Sequence, residues 1–77
     1  GAEINTSAKR AIYDNLGQDI AKSLAVNEAV INSRQADWRG NRLKERAIKI
    51  EIKKVLPDIT DENLKDLFEI IKNQHEY

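Results

Sequence analysis

Three helix-breaking residues constrain the fold of this chain more than any other feature. Gly17, Gly40 and the only proline, Pro57, separate stretches in which apolar residues recur with helical spacing. Helices usually end before a proline, and a glycine readily supplies the left-handed residue that terminates a helix. We therefore predict an all-α bundle of about four helices, covering approximately residues 7–16, 18–34, 41–56 and 60–75.

Size and composition limit the class of protein. The 77 residues form one helical domain, residues 1–77, or a piece of a larger protein. A domain of this size buries only about 60% of the surface of its unfolded chain. It contains no cysteine, so no disulfide or thiolate metal site can stabilise it. No apolar run approaches the ~20 residues that a membrane span requires, so we expect no membrane partner.

The predicted helices carry capping signals at their starts. Ser7, Asn41 and Thr60 are candidate N-caps of the first, third and fourth helices, because their side chains can accept a hydrogen bond from a free backbone N–H. In the second segment, Asn27 either lies on the apolar side of one continuous helix or caps a second short helix. We prefer one helix with an irregularity near Val26–Asn27.

Apolar periodicity predicts the buried side of each helix. The predicted stripe of the second helix comprises Ile20, Ala21, Leu24, Val30 and Ile31. The third helix carries two stripes on nearly opposite sides, one of Leu43, Ala47 and Ile50 and the other of Ile48, Ile52, Val55 and Leu56. A helix with two apolar sides is usually packed from two directions. We therefore predict that the third helix lies at the centre of the domain.

The only tryptophan, Trp38, lies at the corner between the second and third helical segments. A buried tryptophan at such a corner normally fixes the angle between the helices, and its indole N–H usually finds a hydrogen-bond partner. The less favoured interpretation is an exposed anchor for a partner protein, since tryptophan is enriched among the residues that dominate interface energies.

The formal net charge of zero conceals a segregation of charge along the chain. Residues 38–56 carry seven basic side chains against two acidic ones, and residues 57–77 carry two basic against six acidic. The two segments can attract each other as an antiparallel helix pair, although each exposed contact contributes less than about 1 kcal/mol. Nucleic-acid binding is the less favoured use, because the cations are spread around the third helix without interleaved aromatic residues.

Motifs of catalysis are missing from the chain. It has no phosphate-binding or dinucleotide-binding glycine motif, no HExxH and no nucleophile elbow. His75, the only histidine, is expected at the surface, because a catalytic histidine needs an orienting partner and a pocket. Glu51-Ile52-Lys53 and Pro57-Asp58 supply the letters of the PD…(D/E)xK nuclease signature, but in reversed order and partly within a helix. We therefore predict no catalytic, cofactor or metal site.

Five segments, in order along the chain, form a recognisable series. They are Ala11-Ile12-Tyr13-Asp14-Asn15-Leu16-Gly17, Asp37-Trp38-Arg39-Gly40-Asn41, Lys44-Glu45-Arg46, Phe68-Glu69-Ile70-Ile71-Lys72-Asn73-Gln74 and Glu76-Tyr77. From Arg10 onward the chain resembles the C-terminal region of the R (restriction) subunit of type I restriction–modification enzymes. The first two segments are the most distinctive.

The resemblance implies that the chain is a C-terminal fragment of a long multidomain protein. In that family the R subunit has a nuclease domain, two helicase-type ATPase domains that translocate DNA, and a helical part towards the C-terminus. The parent would be an ATP-dependent type I site-specific deoxyribonuclease of the prokaryotic cytoplasm that uses ATP and magnesium, in a complex whose modification subunit binds S-adenosylmethionine. The motifs for that chemistry lie outside this fragment.

We therefore expect a non-catalytic module that helps the R subunit assemble with the modification and specificity subunits and meets DNA through the parent complex. The candidate partner-binding residues are Trp38, Arg39, Arg42, Arg46 and Lys49. Two alternatives stay open: direct contact of the basic third helix with DNA, and a purely structural brace within the parent.

Overall fold

The computed structural model describes residues 7–74 and Tyr77, with side chains from Arg10 onwards. Four α-helices make up this part of the chain: α1 (Ser7–Asn15), α2 (Ile20–Ser33), α3 (Arg42–Val55) and α4 (Asp61–Lys72). The described residues contain no β-strand. The prediction of an all-α bundle of about four helices is confirmed, and every predicted boundary lies within three residues of the observed one.

The helices form a ring around one core. α2 contacts α1 and α3, and α4 also contacts α1 and α3, whereas the backbones of the two diagonal pairs do not approach each other within the described residues. Each helix therefore turns one side inward and leaves the rest to solvent. The buried core comprises Ile12, Val26, Val30, Trp38, Ile48, Ile52, Leu56, Leu67, Phe68 and Ile71.

Helix α3 lies in this ring, so the prediction that it forms the centre of the domain is wrong. Its stripe containing Ile48 and Ile52 is completely buried against the core. On the other side, 80% of Leu43 and 48% of Ile50 are exposed. The two apolar stripes were recognised correctly, but neighbouring helices cover only one of them.

The buried side of helix α2 is rotated relative to the predicted stripe, of which Val30 is completely buried. The helix is continuous from Ile20 to Ser33, so the irregularity expected near Asn27 is absent. Ile20 and Ile31 are 41% and 44% exposed. Two polar residues occupy the buried side, where the Ser23 hydroxyl donates to the carbonyl of Ile20 at 2.9 Å. The buried residues of α2 are Ser23, Val26, Asn27 and Val30.

The connection between α1 and α2 ends one helix and starts the next with local hydrogen bonds. Gly17 and Gln18 both adopt positive φ angles, of 68° and 64°. The backbone N–H of Gln18 donates to the carbonyl of Tyr13 at 2.8 Å, which closes the C-terminal turn of α1. The predicted cap at Gly17 is therefore confirmed. Asp19 then caps α2 by accepting from the backbone N–H of Lys22 at 3.0 Å.

The starts of α3 and α4 agree with the capping predictions. The side chains of Asn41 and Thr60 accept from backbone N–H groups three residues later, each at 3.1 Å. Ser7 is the first residue of α1, and both its side chain and the preceding position lie outside the described part. The caps at Asn41 and Thr60 thus fix where α3 and α4 begin.

Candidate interaction surface

Trp38 is part of the core, with only 3% of its surface exposed. Its ring packs against that of Phe68, with the centroids 5.8 Å apart and an interplanar angle of 59°. The favoured interpretation, a buried tryptophan at the corner before α3, is confirmed. The expected hydrogen bond is absent, because the indole Nε1 is buried without a partner among the described residues.

Arg39 binds the end of α4. Its guanidinium lies 4.6 Å from the ring centroid of Trp38 and donates to the carbonyl oxygens of Lys72 at 3.0 Å, Tyr77 at 3.3 Å and Gln74. A helix C-terminus exposes carbonyls without intrahelical partners, and a cation there also opposes the negative end of the helix dipole. Two of the predicted partner-binding residues, Trp38 and Arg39, thus make internal contacts.

A long-range hydrogen bond joins Tyr77, which follows α4 in the chain, to α2. The Tyr77 hydroxyl donates to Oδ1 of Asn27 at 2.5 Å. Asn27 is only 6% exposed, so this bond satisfies a side-chain oxygen that would otherwise be poorly solvated. The expectation that Asn27 lies on the apolar side of α2 is confirmed, and its alternative role as a helix cap is excluded by the continuous helix.

Glu45 connects the start of α3 to the corner and to α4. Its carboxylate accepts from the backbone N–H of Gly40 at 2.8 Å and pairs with the ammonium of Lys72 at 3.1 Å. The Gly40 hydrogen bond is the main reason that the pKa of Glu45 is lowered, and Lys72 and Lys49 act in the same direction. Partial desolvation opposes this shift without reversing it.

Ion pairs between α3 and α4 follow the predicted charge complementarity only in part. Lys53 pairs with Asp61 at 3.6 Å, as a basic α3 beside an acidic α4 predicts. The side chains are 46% and 99% exposed, so this pair contributes little to stability. In the less exposed pair the charges are reversed, since Glu45 belongs to α3 and Lys72 to α4.

The outer side of α3 combines cations with uncovered apolar residues. Arg42, Arg46, Lys49 and Lys53 recur at spacings of four, three and four residues, which places them in one row along the helix. Lys44 departs from this row and donates to the carbonyl of Ala36 at 2.6 Å. The prediction of cations spread around α3 therefore holds only in part. Leu43 and Ile50 lie beside the row.

The three predicted partner-binding residues on α3 differ in their contacts. Arg42 and Arg46 are exposed and have no ion pair or hydrogen bond among the described residues. The Lys49 ammonium lies 4.7 Å from the ring centroid of Phe68, so its stem covers part of the core. Arg42 and Arg46 are therefore the predicted site residues best placed to contact another molecule.

A groove of about 420 Å³ runs between α3 and the start of α4 and is termed the α3–α4 groove. Ile50 and Leu64 supply its apolar residues. Leu64 packs partly against the core, whereas Ile50, which belongs to one of the two predicted apolar stripes of α3, is 48% exposed. Periodicity identifies such a stripe without showing whether a neighbouring helix covers it. The lining residues are Arg46, Lys49, Ile50, Lys53, Lys54 and Leu64.

Comparison with protein-family models, curated proteins and solved structures gave no match. The resemblance to type I R subunits therefore stays a prediction. The described helices include none with the length and apolar character needed to cross a bilayer. Within the same residues, no three His, Asp or Glu side chains are grouped so that they could hold a metal ion. His75 lies outside the described residues.

Proposed function

We propose that this chain is a non-catalytic docking module, the C-terminal helical domain of a type I restriction enzyme R subunit. It binds the modification and specificity subunits and so helps to assemble a cytoplasmic prokaryotic complex. The ATP- and magnesium-dependent translocation and cleavage of DNA belong to other domains of the parent. The sequence resemblance supports the family, and the uncovered apolar side of α3 supports the docking role.

The exposure of Leu43 and Ile50 carries the proposal. They lie seven residues apart on one side of α3 and are 80% and 48% exposed, although the opposite side of the same helix completes the core. Single exposed apolar residues are common, whereas apolar residues grouped with arginines are typical of binding surfaces. Full burial of each side chain by a partner contributes about 1.5–3 kcal/mol, reduced here by the part already covered.

The contacts within the chain divide the predicted partner-binding residues into those that can contact a partner directly and those that support the fold. Arg42, Arg46 and Lys49 border the uncovered apolar side of α3 and belong to the proposed docking surface. Trp38 and Arg39 support it indirectly, because they fix the corner from which α3 begins. Loss of Trp38 then weakens assembly through the fold, and loss of Arg46 weakens it through direct contact.

The test measures binding of the 77-residue chain to the purified modification–specificity assembly by interferometry. The double variant Leu43→Glu/Ile50→Glu places charge on the proposed surface, and we expect it to lose binding while retaining its helical circular dichroism. Ile31→Glu is the matched control, because Ile31 is 44% exposed on α2 and lies outside the α3–α4 groove. If the double variant bound the assembly as tightly as the wild type, the assignment of the docking surface would be wrong.

Direct DNA contact is the second candidate function, and the cation row favours it. Arg42, Arg46, Lys49 and Lys53 on one side of α3 could meet successive phosphates. Four such contacts predict that the logarithm of the binding constant falls with the logarithm of salt concentration with a slope of about −3.6. If a labelled duplex does not bind to the chain at low salt, this function is excluded. It ranks second because contacts with phosphates would not bury the exposed apolar side chains of Leu43 and Ile50.

A further inference from the structure

We propose that the α3–α4 groove binds an acidic amphipathic α-helix. Such a helix carries leucine or isoleucine along one side and glutamate or aspartate on both flanks of that side. This inference rests on the proposed docking function and specifies the chemistry of the partner segment that the groove recognises. It follows from the apolar surface, the charge and the length of the groove.

The apolar part of the groove is accessible to a partner. Ile50 is 48% exposed, and Leu64, at the start of α4, is partly buried against the core. An inserted leucine or isoleucine side chain would cover both and remove apolar surface from water. Amphipathic helices bind grooves in this manner through side chains that recur every three or four residues.

The charged residues that line the groove are all cations: Arg46, Lys49, Lys53 and Lys54. Two carboxylates lie nearby, since Lys53 pairs with Asp61 at 3.6 Å and Lys54 pairs with Glu51 at 2.7 Å. Both pairs are largely solvated, and their lysine side chains are 46% and 66% exposed. The groove keeps an excess of positive charge that carboxylates on a partner would complement.

The spacing of the cations fits a helix. Arg46 and Lys54 lie eight residues apart on α3. At 1.5 Å per residue this corresponds to about 12 Å, or slightly more than two helical turns. A partner helix of three to four turns would thus place acidic residues near both ends of the groove while its apolar side covers Ile50.

Duplex DNA fits the same groove less well. Its phosphates could pair with the cations, but its backbone presents no apolar group that would cover Ile50 and Leu64. No aromatic residue lines the groove to stack on an unpaired base. The combination of an apolar surface with a basic rim therefore favours a protein helix over a nucleic acid.

The experiment is a fluorescence-anisotropy titration of the 77-residue chain. The probes are a labelled 18-residue helix of leucine and glutamate, the same helix with lysine at every glutamate position, and an 18-base-pair duplex. We expect the acidic helix to bind at least about tenfold more tightly than the basic one, because like charges across an interface repel. We also expect it to bind more tightly than the duplex.

Two variants locate the binding site. Arg46→Glu should weaken binding of the acidic helix about tenfold, and Ile50→Gln should weaken it several-fold while keeping a good helix former at that position. Arg10→Glu is the matched control, since it makes the same charge change on α1, whose backbone does not approach α3. It should reduce affinity less than about twofold.

Three results would overturn the proposal: equal binding of the acidic and basic helices, identical affinities of Arg46→Glu and the wild type, or binding of the duplex alone. Binding of the modification–specificity assembly is measured on the same variants. If the assembly binds the wild type and Arg46→Glu equally, the groove assignment fails and the docking function stands. If the acidic helix binds in the groove and the assembly does not bind at all, the proposed function fails instead.

Discussion

The guanidinium of Arg39 lies 4.6 Å from the ring centroid of Trp38 while it donates to carbonyl oxygens at and just beyond the C-terminal end of α4. Two consecutive residues at the corner before α3 thus have complementary roles. Trp38 packs into the core against Phe68 of α4, and Arg39 closes the end of the same helix. The corner therefore fixes α3 relative to α4, which is the geometry that forms the α3–α4 groove.

Replacing Arg39 with alanine should lower the free energy of unfolding by about 1 kcal/mol. Hydrogen bonds from a charged group to carbonyls stabilise by up to about 3 kcal/mol, and the exposure of this site reduces that value. Urea denaturation followed by circular dichroism measures the change. Arg42→Ala is the control, because Arg42 is exposed and unpaired among the described residues, and it should change stability by less than about 0.5 kcal/mol. Equal effects would contradict the capping role of Arg39.

Trp38→Phe should destabilise the domain far less than Trp38→Ala. Alanine leaves a large cavity next to Phe68 and costs about 3–5 kcal/mol. Phenylalanine keeps the ring contact and also removes the indole N–H, which is buried without a hydrogen-bond partner among the described residues. Chemical denaturation compares the two variants. If Trp38→Phe lost as much stability as Trp38→Ala, the buried N–H would have a partner that the phenyl ring cannot replace.

The boundaries of the helices could be predicted from the sequence because local chemistry determines them. Gly17 ends α1, and Thr60 caps α4, each through hydrogen bonds to residues within five positions. Periodicity identified both apolar stripes of α3 but could not distinguish Ile48, which is buried, from Ile50, which is half exposed. That difference depends on where α2 and α4 pack. The α3–α4 groove therefore could not be predicted from the sequence and is identified only from the folded structure.

The contacts of Asn27 and Arg39 also depend on the tertiary fold. Their partners lie more than 30 residues away along the chain, so no local pattern identifies them. Asn27 interrupts the apolar stripe of α2, and a polar residue in such a position indicates a buried hydrogen bond without identifying its partner. Sequence analysis could thus place Asn27 on the buried side but could not find Tyr77.

Removing the Tyr77 hydroxyl should destabilise the domain by about 1–2 kcal/mol, because Oδ1 of Asn27 is then left buried without its donor. A double-mutant cycle with Tyr77→Phe and Asn27→Ala should give a coupling energy of about 1 kcal/mol. Thermal or urea unfolding supplies the four free energies. Tyr13→Phe is the control, since this is the only other tyrosine and its hydroxyl makes no hydrogen bond among the described residues. Strict additivity in the cycle would show that the bond does not contribute to stability.

Stability should decrease on acidification partly because of Glu45. The pKa of its carboxyl group is lowered in the folded chain by the Gly40 N–H and by Lys72, so folding favours the ionised form. The stabilisation is fully present above the unfolded value near 4.5 and is lost as the pH falls through the lower pKa of the folded state. Glu45→Gln should therefore be less stable than the wild type at pH 7, and the difference should shrink as the pH falls below about 4.5 and through the lower pKa of the folded state.

The measurement is urea unfolding of both proteins at several pH values between 7 and 3. Glu69→Gln serves as the control, because Glu69 lies exposed on α4 and its side chain makes no ion pair among the described residues. It gives the effect of the same substitution at a site away from the Gly40 N–H and Lys72. A pH-independent difference between Glu45→Gln and the wild type would mean that the Gly40 N–H and Lys72 do not favour the carboxylate. The start of α3 would then depend on packing and on the Asn41 cap alone.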